Sequence, residues 1–136
     1  AKQSFYNDTS LEKITFGNCE RIQDWTETFY GCISLKEIDA TLNLGAANWV
    51  SNTFANCTSL KSVRFEKETI KIGISLSSCK SLSKESMESF FDGLAISQGK
   101  TVTLSRYAYE NNYPTADEKK KIENRLTEKG WKLNLE

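Results

Sequence analysis

Three of the four cysteines stand at matching positions of a repeated segment, where a metal site or a redox relay is one hypothesis. Cys32, Cys57 and Cys79 each precede a leucine by three residues, whereas Cys19 lies outside the pattern, at what we expect is a separate core position. The sequence has no Cys-x-x-Cys pair and no histidine that could complete a zinc site. One thiol per repeat is typical of small side chains that fill core space, and we favour this interpretation. A disulfide between adjacent repeats is the alternative, although stacked parallel side chains suit its dihedral angle poorly.

Paired carboxylates are the second candidate for chemistry. Glu37 and Asp39 are two residues apart on a predicted strand, which places them on one face about 7 Å apart, within the range that glycosidases use. No row of carboxylates repeats this pair, so a solvated face is the simpler interpretation. The absence of histidine also removes the commonest general base and the usual partner of a serine or cysteine nucleophile. We therefore expect no enzymatic activity, no metal site and no cofactor.

The cysteine positions belong to a longer repeat that begins with phenylalanine. Phe5, Phe29 and Phe54 are separated by 24 and 25 residues, and each copy continues with Leu-x-x-(Ile/Val). A period of this length predicts the stacked coils of a solenoid, in which no coil is stable alone. The alternation of apolar residues after each leucine predicts a ladder of short parallel strands. The predicted strands are residues 12–16, 36–40 and 61–65.

The outward side of this predicted ladder is the candidate binding surface. Its side chains alternate with the buried Ile/Val and Phe/Ala positions of the three strands. The candidate residues are Lys13, Thr15, Glu37, Asp39, Ser62 and Arg64. The alternative interpretation is an ordinary solvated sheet face with mixed charges.

The segments that lead into the second and third Phe also resemble each other. Each has the spacing of one helical or 3₁₀ turn, which Asp24 or Asn48 could cap. Trp25 and Val50 both lie four residues before the Phe, so we expect both to pack into the core.

The regularity ends after Phe65. Alternating apolar residues from Ile70 to Leu76 predict a strand, and Cys79 then repeats the cysteine position of the earlier copies. Only 11 residues separate Val63 from Ile74, which is too few for a complete coil. Either a hairpin is inserted here or one coil is truncated.

The C-terminal half predicts a strand–helix–strand–helix–strand (βαβαβ) arrangement, and hence the α/β class. Ser83 can cap a first helix, and Thr115 begins the capping box of a second, which is expected to end near Lys129, before Gly130. Parallel crossovers would let these strands continue the same ladder, while the helices cap the open end of the core. The other predicted elements are strands at 101–104 and 131–135 and an aromatic loop at 107–114.

The signature Phe-x-x-Cys-x-Ser-Leu-x-x-(Ile/Val) resembles the BspA-type leucine-rich repeat, also called the Treponema pallidum type. The copies that begin at Phe29 and Phe54 match it fully, whereas the copy at Phe5 has Asp8 in place of cysteine. The resemblance implies a leucine-rich-repeat solenoid. We expect one domain over 1–136, with BspA-like repeats at 1–82 and helical capping repeats at 83–136.

The resemblance also carries functional expectations. Family members are typically secreted or cell-surface proteins of gut or oral bacteria, and some bind host matrix proteins or other bacteria. It implies an adhesion-like, non-catalytic module that binds a protein or a glycan through the ladder face. The alternative is a structural spacer or terminal cap of a surface or phage fibre protein that has no ligand of its own.

The overall charge and hydropathy narrow the class of partner. Eighteen Lys and Arg balance eighteen Asp and Glu, so nothing draws the chain electrostatically toward nucleic acid or an anionic membrane. No apolar run approaches the roughly 20 residues of a membrane-spanning helix. We therefore expect a monomer that neither binds nucleic acid nor inserts into a membrane. The chain begins at Ala1 rather than Met, and we expect a mature or trimmed protein with further repeats ahead of it.

Overall fold

A computed structural model describes all 136 residues as an α/β arrangement of six short strands and three helices. The strands are β1 (Lys13–Thr15), β2 (Glu37–Leu42), β3 (Ser62–Phe65), β4 (Ser75–Leu76), β5 (Lys100–Leu104) and β6 (Trp131–Leu135). The helices are α1 (Lys84–Gly93), α2 (Arg106–Asn112) and α3 (Ala116–Glu128). The strands form two parallel three-stranded sheets, ordered β1-β2-β3 and β4-β5-β6. The prediction of short parallel strands is confirmed.

The first sheet contains the three predicted repeat strands, side by side and in chain order. β1 and β2 pair with Ile14 opposite Ile38, as the repeat step of 24 predicts. β2 runs past its predicted end at residue 40, because Leu42 adds a third buried position to the alternation of Ile38 and Ala40.

The pairing of β2 with β3 departs from the repeat register. Glu37 lies opposite Ser62, but Thr41 rather than Asp39 lies opposite Arg64. β2 therefore contains a bulge between Glu37 and Thr41. A bulge bends and twists a strand locally, so the outward side chains of β2 do not form a perfectly regular row with those of β3.

A second set of backbone hydrogen bonds joins successive repeats through their Phe-containing turns. We refer to residues 1–24 as coil 1, 25–49 as coil 2 and 50–71 as coil 3. N–H groups of alternate residues in one coil donate to carbonyl groups of the next, at 2.6 to 3.0 Å. The donors Gln3, Phe5, Asn7, Glu27, Phe29 and Gly31 pair respectively with Thr26, Thr28, Tyr30, Ser51, Thr53 and Ala55. The hydrogen bonds between these turns all run in one direction, because the carbonyls of each Phe-containing turn accept from the turn before it.

The Phe-containing turns use left-handed backbone at two fixed positions. One is two residues before each Phe, where Glu27 and Asn52 have φ values of 52° and 54°, and the other is two residues after, where Gly31 has φ 75°. The predicted helical turns at Asp24 and Asn48 are wrong, because a left-handed residue interrupts each of them. Asp24 instead accepts a hydrogen bond from the Thr26 N–H in a tight turn.

Large side chains stack in columns inside the coils. The rings of Phe5 and Phe29 are 5.7 Å apart and those of Phe29 and Phe54 are 5.6 Å apart, both nearly parallel. Trp25 and Val50 are buried, as predicted. The Phe of each coil therefore lies over the Phe of the next.

The predicted strand from Ile70 to Leu76 is wrong. Only Ser75–Leu76 is a strand, while Ile70 forms an isolated parallel bridge with Leu94, after α1. The Ile70 N–H and carbonyl bond to Gly93 and Ala95, which holds this part of the chain away from β4. The segment contains no hairpin, so of the two alternatives the truncated coil describes it.

The helix boundaries follow the predicted caps, with one exception. The Ser83 and Thr115 hydroxyls accept the expected N-terminal N–H groups, and Gly130 has the positive φ of a helix stop. The predicted loop at 107–114 is wrong, because residues 106–112 form α2. Tyr109 and Tyr113 are four residues apart and both buried, which is helical spacing that the aromatic character of the segment obscured.

The C-terminal strands do not continue the first ladder, contrary to prediction. Helix α1 lies along the free edge of β3 and supplies hydroxyl groups where another strand would supply backbone groups. The Ser86 hydroxyl accepts from the Val63 N–H and donates to the Lys61 carbonyl, each at 3.0 Å. The Ser89 hydroxyl accepts from the Phe65 N–H at 2.9 Å. The first sheet ends here, and the second begins at β4.

The two sheets nevertheless share one core. Thirty-four buried apolar residues form a single cluster that runs from Ile14 to Trp131. None of the three helices is both long and apolar enough to cross a membrane.

Candidate interaction surface

The structure brings the six predicted surface residues together on the outward face of the first sheet. Lys13, Thr15, Ser62 and Arg64 are exposed, and Glu37 and Asp39 are half-buried between their neighbours. The buried residues that alternate with them, such as Ile14, Ile38 and Val63, hold the strands against the core. The predicted division of each strand into an inner and an outer side is therefore correct.

Most charges on this face pair with one another across the strands. The Lys13 ammonium lies 3.6 Å from the Glu37 carboxylate and 3.9 Å from that of Asp39. The Arg64 guanidinium donates to the other Asp39 oxygen at 3.3 Å. Asp39 is thus the centre of a chain of ion pairs that spans all three strands. Exposed pairs of this kind contribute little stability, at most about 1 kcal/mol each, so they are free to be exchanged for pairs with a partner.

The bulge in β2 adds a residue that the sequence pattern missed. Thr41 is exposed and lies directly opposite Arg64, where the repeat alignment had placed Asp39. No residue type at positions 38–41 predicts the bulge. Thr41 also lines a shallow polar cleft of about 430 Å³ beyond the strand ends, together with Asp39, Arg64, Asn43 and Glu66.

The cysteines occupy packed positions in the core. All four are buried free thiols. Cys32 and Cys57 donate to the Phe5 and Phe29 carbonyls of the preceding coil, each at 3.0 Å. Burial raises the pKa of Cys57 to about 12 and raises that of Cys79 well above its ordinary value. Because the thiolate is the reactive form, these cysteines are poor nucleophiles and poor metal ligands.

The remaining cysteine and the carboxylate pair are also accounted for by local contacts. Cys19 is a separate core position, as expected, where its sulfur accepts from the Asn43 N–H at 3.3 Å and contacts the Thr41 carbonyl. Glu37 and Asp39 share the Lys13 ammonium and line no common enclosed pocket. A glycosidase needs its two carboxylates on either side of a bound sugar, whereas Glu37 and Asp39 lie side by side on one face of β2.

Phe-led repeats that are each followed by a short parallel strand are typical of a leucine-rich repeat protein. The comparison with sequence families makes this more specific, since the BspA type leucine rich repeat region matches residues 1–98 in six copies. The match covers well over half of the chain, and the protein belongs to the BspA-type leucine-rich repeat family. Leucine-rich repeats are in general protein-interaction modules without catalytic activity. No curated protein and no solved structure matches the chain.

Proposed function

We propose that this protein is a non-catalytic recognition module that binds a protein or a glycan through the outward face of the first sheet. One observation supports this most strongly: the ion-pair chain centred on Asp39 is exposed and spans three strands. Rigid strands hold these charges in fixed positions, and a partner with complementary charges could replace the existing pairs at little cost. The adjacent polar cleft at Thr41 and Asn43 enlarges the surface.

The wider biological setting is part of the proposal. We infer a leucine-rich-repeat solenoid of one domain, with repeats over 1–82 and a capping region over 83–136, which acts as a monomer. The family resemblance favours an adhesion-like role in a secreted or cell-surface bacterial protein. The alternative is a spacer or terminal cap of a surface or phage fibre protein, and the same fold would serve it, because a stiff stack also separates other domains.

A binding panel tests the proposal. The full chain is presented to a glycan array and to purified extracellular-matrix proteins, and the affinity of any ligand found is measured for Asp39→Ala and Arg64→Ala. We expect each substitution to weaken binding by roughly tenfold, the size of a moderate interface contribution. The melting temperature should change little, because Arg64 is exposed, Asp39 is half-buried, and exposed ion pairs of this kind contribute at most about 1 kcal/mol each.

Matched controls lie on the far helix α3. Lys120→Ala and Glu128→Ala remove exposed charges that form no ion pair, and they should leave the affinity unchanged. Equal affinities for all four variants would refute the assignment of the surface. A chain that binds nothing on either panel would instead support the spacer alternative.

A further inference from the structure

A stack of tyrosine rings on one flank of the coils stops after two members. Tyr6 and Tyr30 each follow the Phe of their coil, and their rings lie nearly parallel with centroids 4.9 Å apart. In coil 3 the equivalent residue is Ala55. The Gly31 N–H donates to the Ala55 carbonyl at 2.9 Å, which holds the two turns side by side. Tyr6 therefore covers one face of the Tyr30 ring, whereas a single methyl group stands where a third ring would cover the other.

The missing ring leaves a slot whose height follows from the repeat. Equivalent positions of neighbouring strands are about 4.8 Å apart, which matches the distance between the two tyrosine rings. A flat ring placed over Ala55 would therefore contact Tyr30 as Tyr30 contacts Tyr6.

The next position along the stack is also small. Ser77 stands two residues before Cys79, as Ala55 stands two residues before Cys57. This part of the chain lies against coil 3, because the Ser81 hydroxyl donates to the Thr58 carbonyl at 2.9 Å. Neither Ala55 nor Ser77 fills the slot with a large side chain.

The slot combines an apolar floor with an uncharged polar rim. Ile33, three residues after Tyr30, is 48% exposed and extends the apolar surface. Asn52 and Asn56 are exposed on the turn that carries Ala55, and Ser77 and Ser78 are half-buried. The acidic residue of the neighbouring turn, Glu27, accepts a hydrogen bond from Gln3 at 3.0 Å.

These features indicate the chemistry of the occupant. The face of an aromatic ring carries partial negative charge and attracts polarised C–H groups. Amide and hydroxyl side chains both donate and accept hydrogen bonds, which suits the hydroxyl groups of a sugar. A charged ligand would find no ion-pair partner among the rim residues.

We propose that the slot over Ala55, between Tyr30 and Ser77, binds one neutral pyranose ring through its C–H face. The slot lies on the Phe-containing turns and not on the strands, so it is a site separate from the charged face of the first sheet. The two sites can therefore be tested independently.

A titration of the 136-residue chain tests the proposal. The probes are methyl β-D-glucopyranoside and methyl β-D-galactopyranoside, and NMR follows the ring-current shifts of their C–H protons and the signals of the Tyr30 ring. We expect at least one probe to bind with a dissociation constant on the order of millimolar, as is reasonable for a single stacked ring. Tyr30→Ala should weaken binding about tenfold, whereas Tyr30→Phe should keep it, because the ring face and not the hydroxyl group makes the contact.

Ala55→Tyr separates binding from folding. The new ring extends the stack on Tyr30 and fills the slot, so binding should fall more than tenfold while the melting temperature does not fall. Tyr107→Ala, at a residue 70% exposed on α2, is the matched aromatic control and should leave binding unchanged. Asp39→Ala should also leave it unchanged, because Asp39 lies on the sheet face.

Three results would overturn the inference. The first is that neither probe shifts the Tyr30 signals. The second is that Ala55→Tyr binds the probes as tightly as the parent chain, or that Tyr107→Ala weakens binding as much as Tyr30→Ala. The third is a matrix protein whose binding Ala55→Tyr abolishes when neither probe binds, since a protein side chain would then be the occupant.

Discussion

The two halves of this molecule bury the same kinds of residue by different means. In the coils up to residue 71, equivalent side chains stack in columns, with Phe over Phe and a thiol over a carbonyl group. Backbone hydrogen bonds between the Phe-containing turns join one coil to the next. The C-terminal half has three parallel strands too, but ordinary helices connect them and cover the core with one apolar face each. Helix α1 is where one scheme replaces the other.

The difference shows what each scheme demands of the sequence. A column requires a particular residue at a fixed step, because each side chain packs against its own counterpart. An amphipathic helix requires only apolar residues at helical spacing, and many residues meet that condition. The coils should therefore be the half in which single substitutions are most costly, and the following predictions test this from the largest expected effect to the smallest.

Phe54→Ala should be the most destabilising of the changes considered. Phe54 is 1% exposed, stacks on Phe29 and meets the edge of Phe65 at 6.4 Å, so truncation leaves a cavity shared by two coils. We expect the free energy of unfolding to fall by about 3–5 kcal/mol in urea titrations. Tyr107→Ala, at a residue 70% exposed on α2, is the control and should cost little. A loss below 1 kcal/mol for Phe54→Ala would contradict the importance of the columns.

Ser86→Ala tests the boundary between the two schemes. The substitution leaves the Val63 N–H without an acceptor, whereas the Lys61 carbonyl loses the hydroxyl but still accepts from the Ser83 N–H. We expect a loss of about 1–3 kcal/mol, the cost of unsatisfied buried polar groups. Ser89→Ala should cost less, because Ser89 is only half-buried. If both variants unfold like the parent chain, α1 does not complete the edge of β3.

Cys57→Ser and Cys79→Ser form a matched pair within the thiol column. A serine at position 57 can keep the hydrogen bond to the Phe29 carbonyl, whereas the Cys79 thiol makes no hydrogen bond. Serine at 79 therefore buries a hydroxyl without a partner, and we expect it to cost about 1–3 kcal/mol. Serine at 57 should cost clearly less. If the two variants have the same denaturation midpoint, the thiols contribute only by filling space in the core.

The stacking of equivalent side chains was predictable from the sequence, whereas the backbone conformation of the Phe-containing turns was predictable only in part. Phe5, Phe29 and Phe54 gave the period, and the period placed Ile14 opposite Ile38. Asn7, Gly31 and Asn56 stand at one of the two left-handed positions, and such residues favour that conformation. Asn52 stands at the other position and carries the same signal for the predicted turn at Asn48. Gln3 and Glu27 at that position carry none, so nothing local revealed that the predicted turn at Asp24 would be interrupted.

The candidate surface was predictable as a face but not as a set of contacts. Period-two alternation separates Asp39 and Arg64 from the buried residues between them. The bulge that places Thr41 opposite Arg64 depends on the simultaneous pairing of β2 with β1 and β3, which is a tertiary effect. The same limit explains the error at 70–76, where the alternation of Ile70 and Ile74 was real but Ile70 pairs with a segment beyond α1.

The last prediction concerns the charges that hold the two C-terminal helices together, and its effect should be the smallest. Arg125 of α3 donates to Glu88 of α1 at 2.6 Å and to Asp92 at 3.0 Å, and the Tyr113 hydroxyl donates to the same Glu88 at 2.8 Å. Partial burial works to raise the pKa of Glu88, but these hydrogen bonds and the Arg125 charge outweigh it, so the pKa is lowered from 4.5.

A carboxylate whose pKa is lower in the folded state stabilises the fold above its ordinary pKa, and this contribution disappears as the pH falls through the lowered value. The parent chain should therefore lose stability as the pH falls below about 4.5, beyond the loss shown by Glu88→Gln. The difference should be at most about 1 kcal/mol, because the pair is more than one-third exposed. Melting curves of both chains at pH 6 and pH 3 measure it. Because the Glu88 carboxylate bonds to Tyr113 and Arg125 of the C-terminal half, the corresponding change should appear in amide exchange of α1 and α3 and be absent from β1. An equal change in β1 would mean that the two halves open as one unit. They would then differ in how they are packed but not in how they unfold.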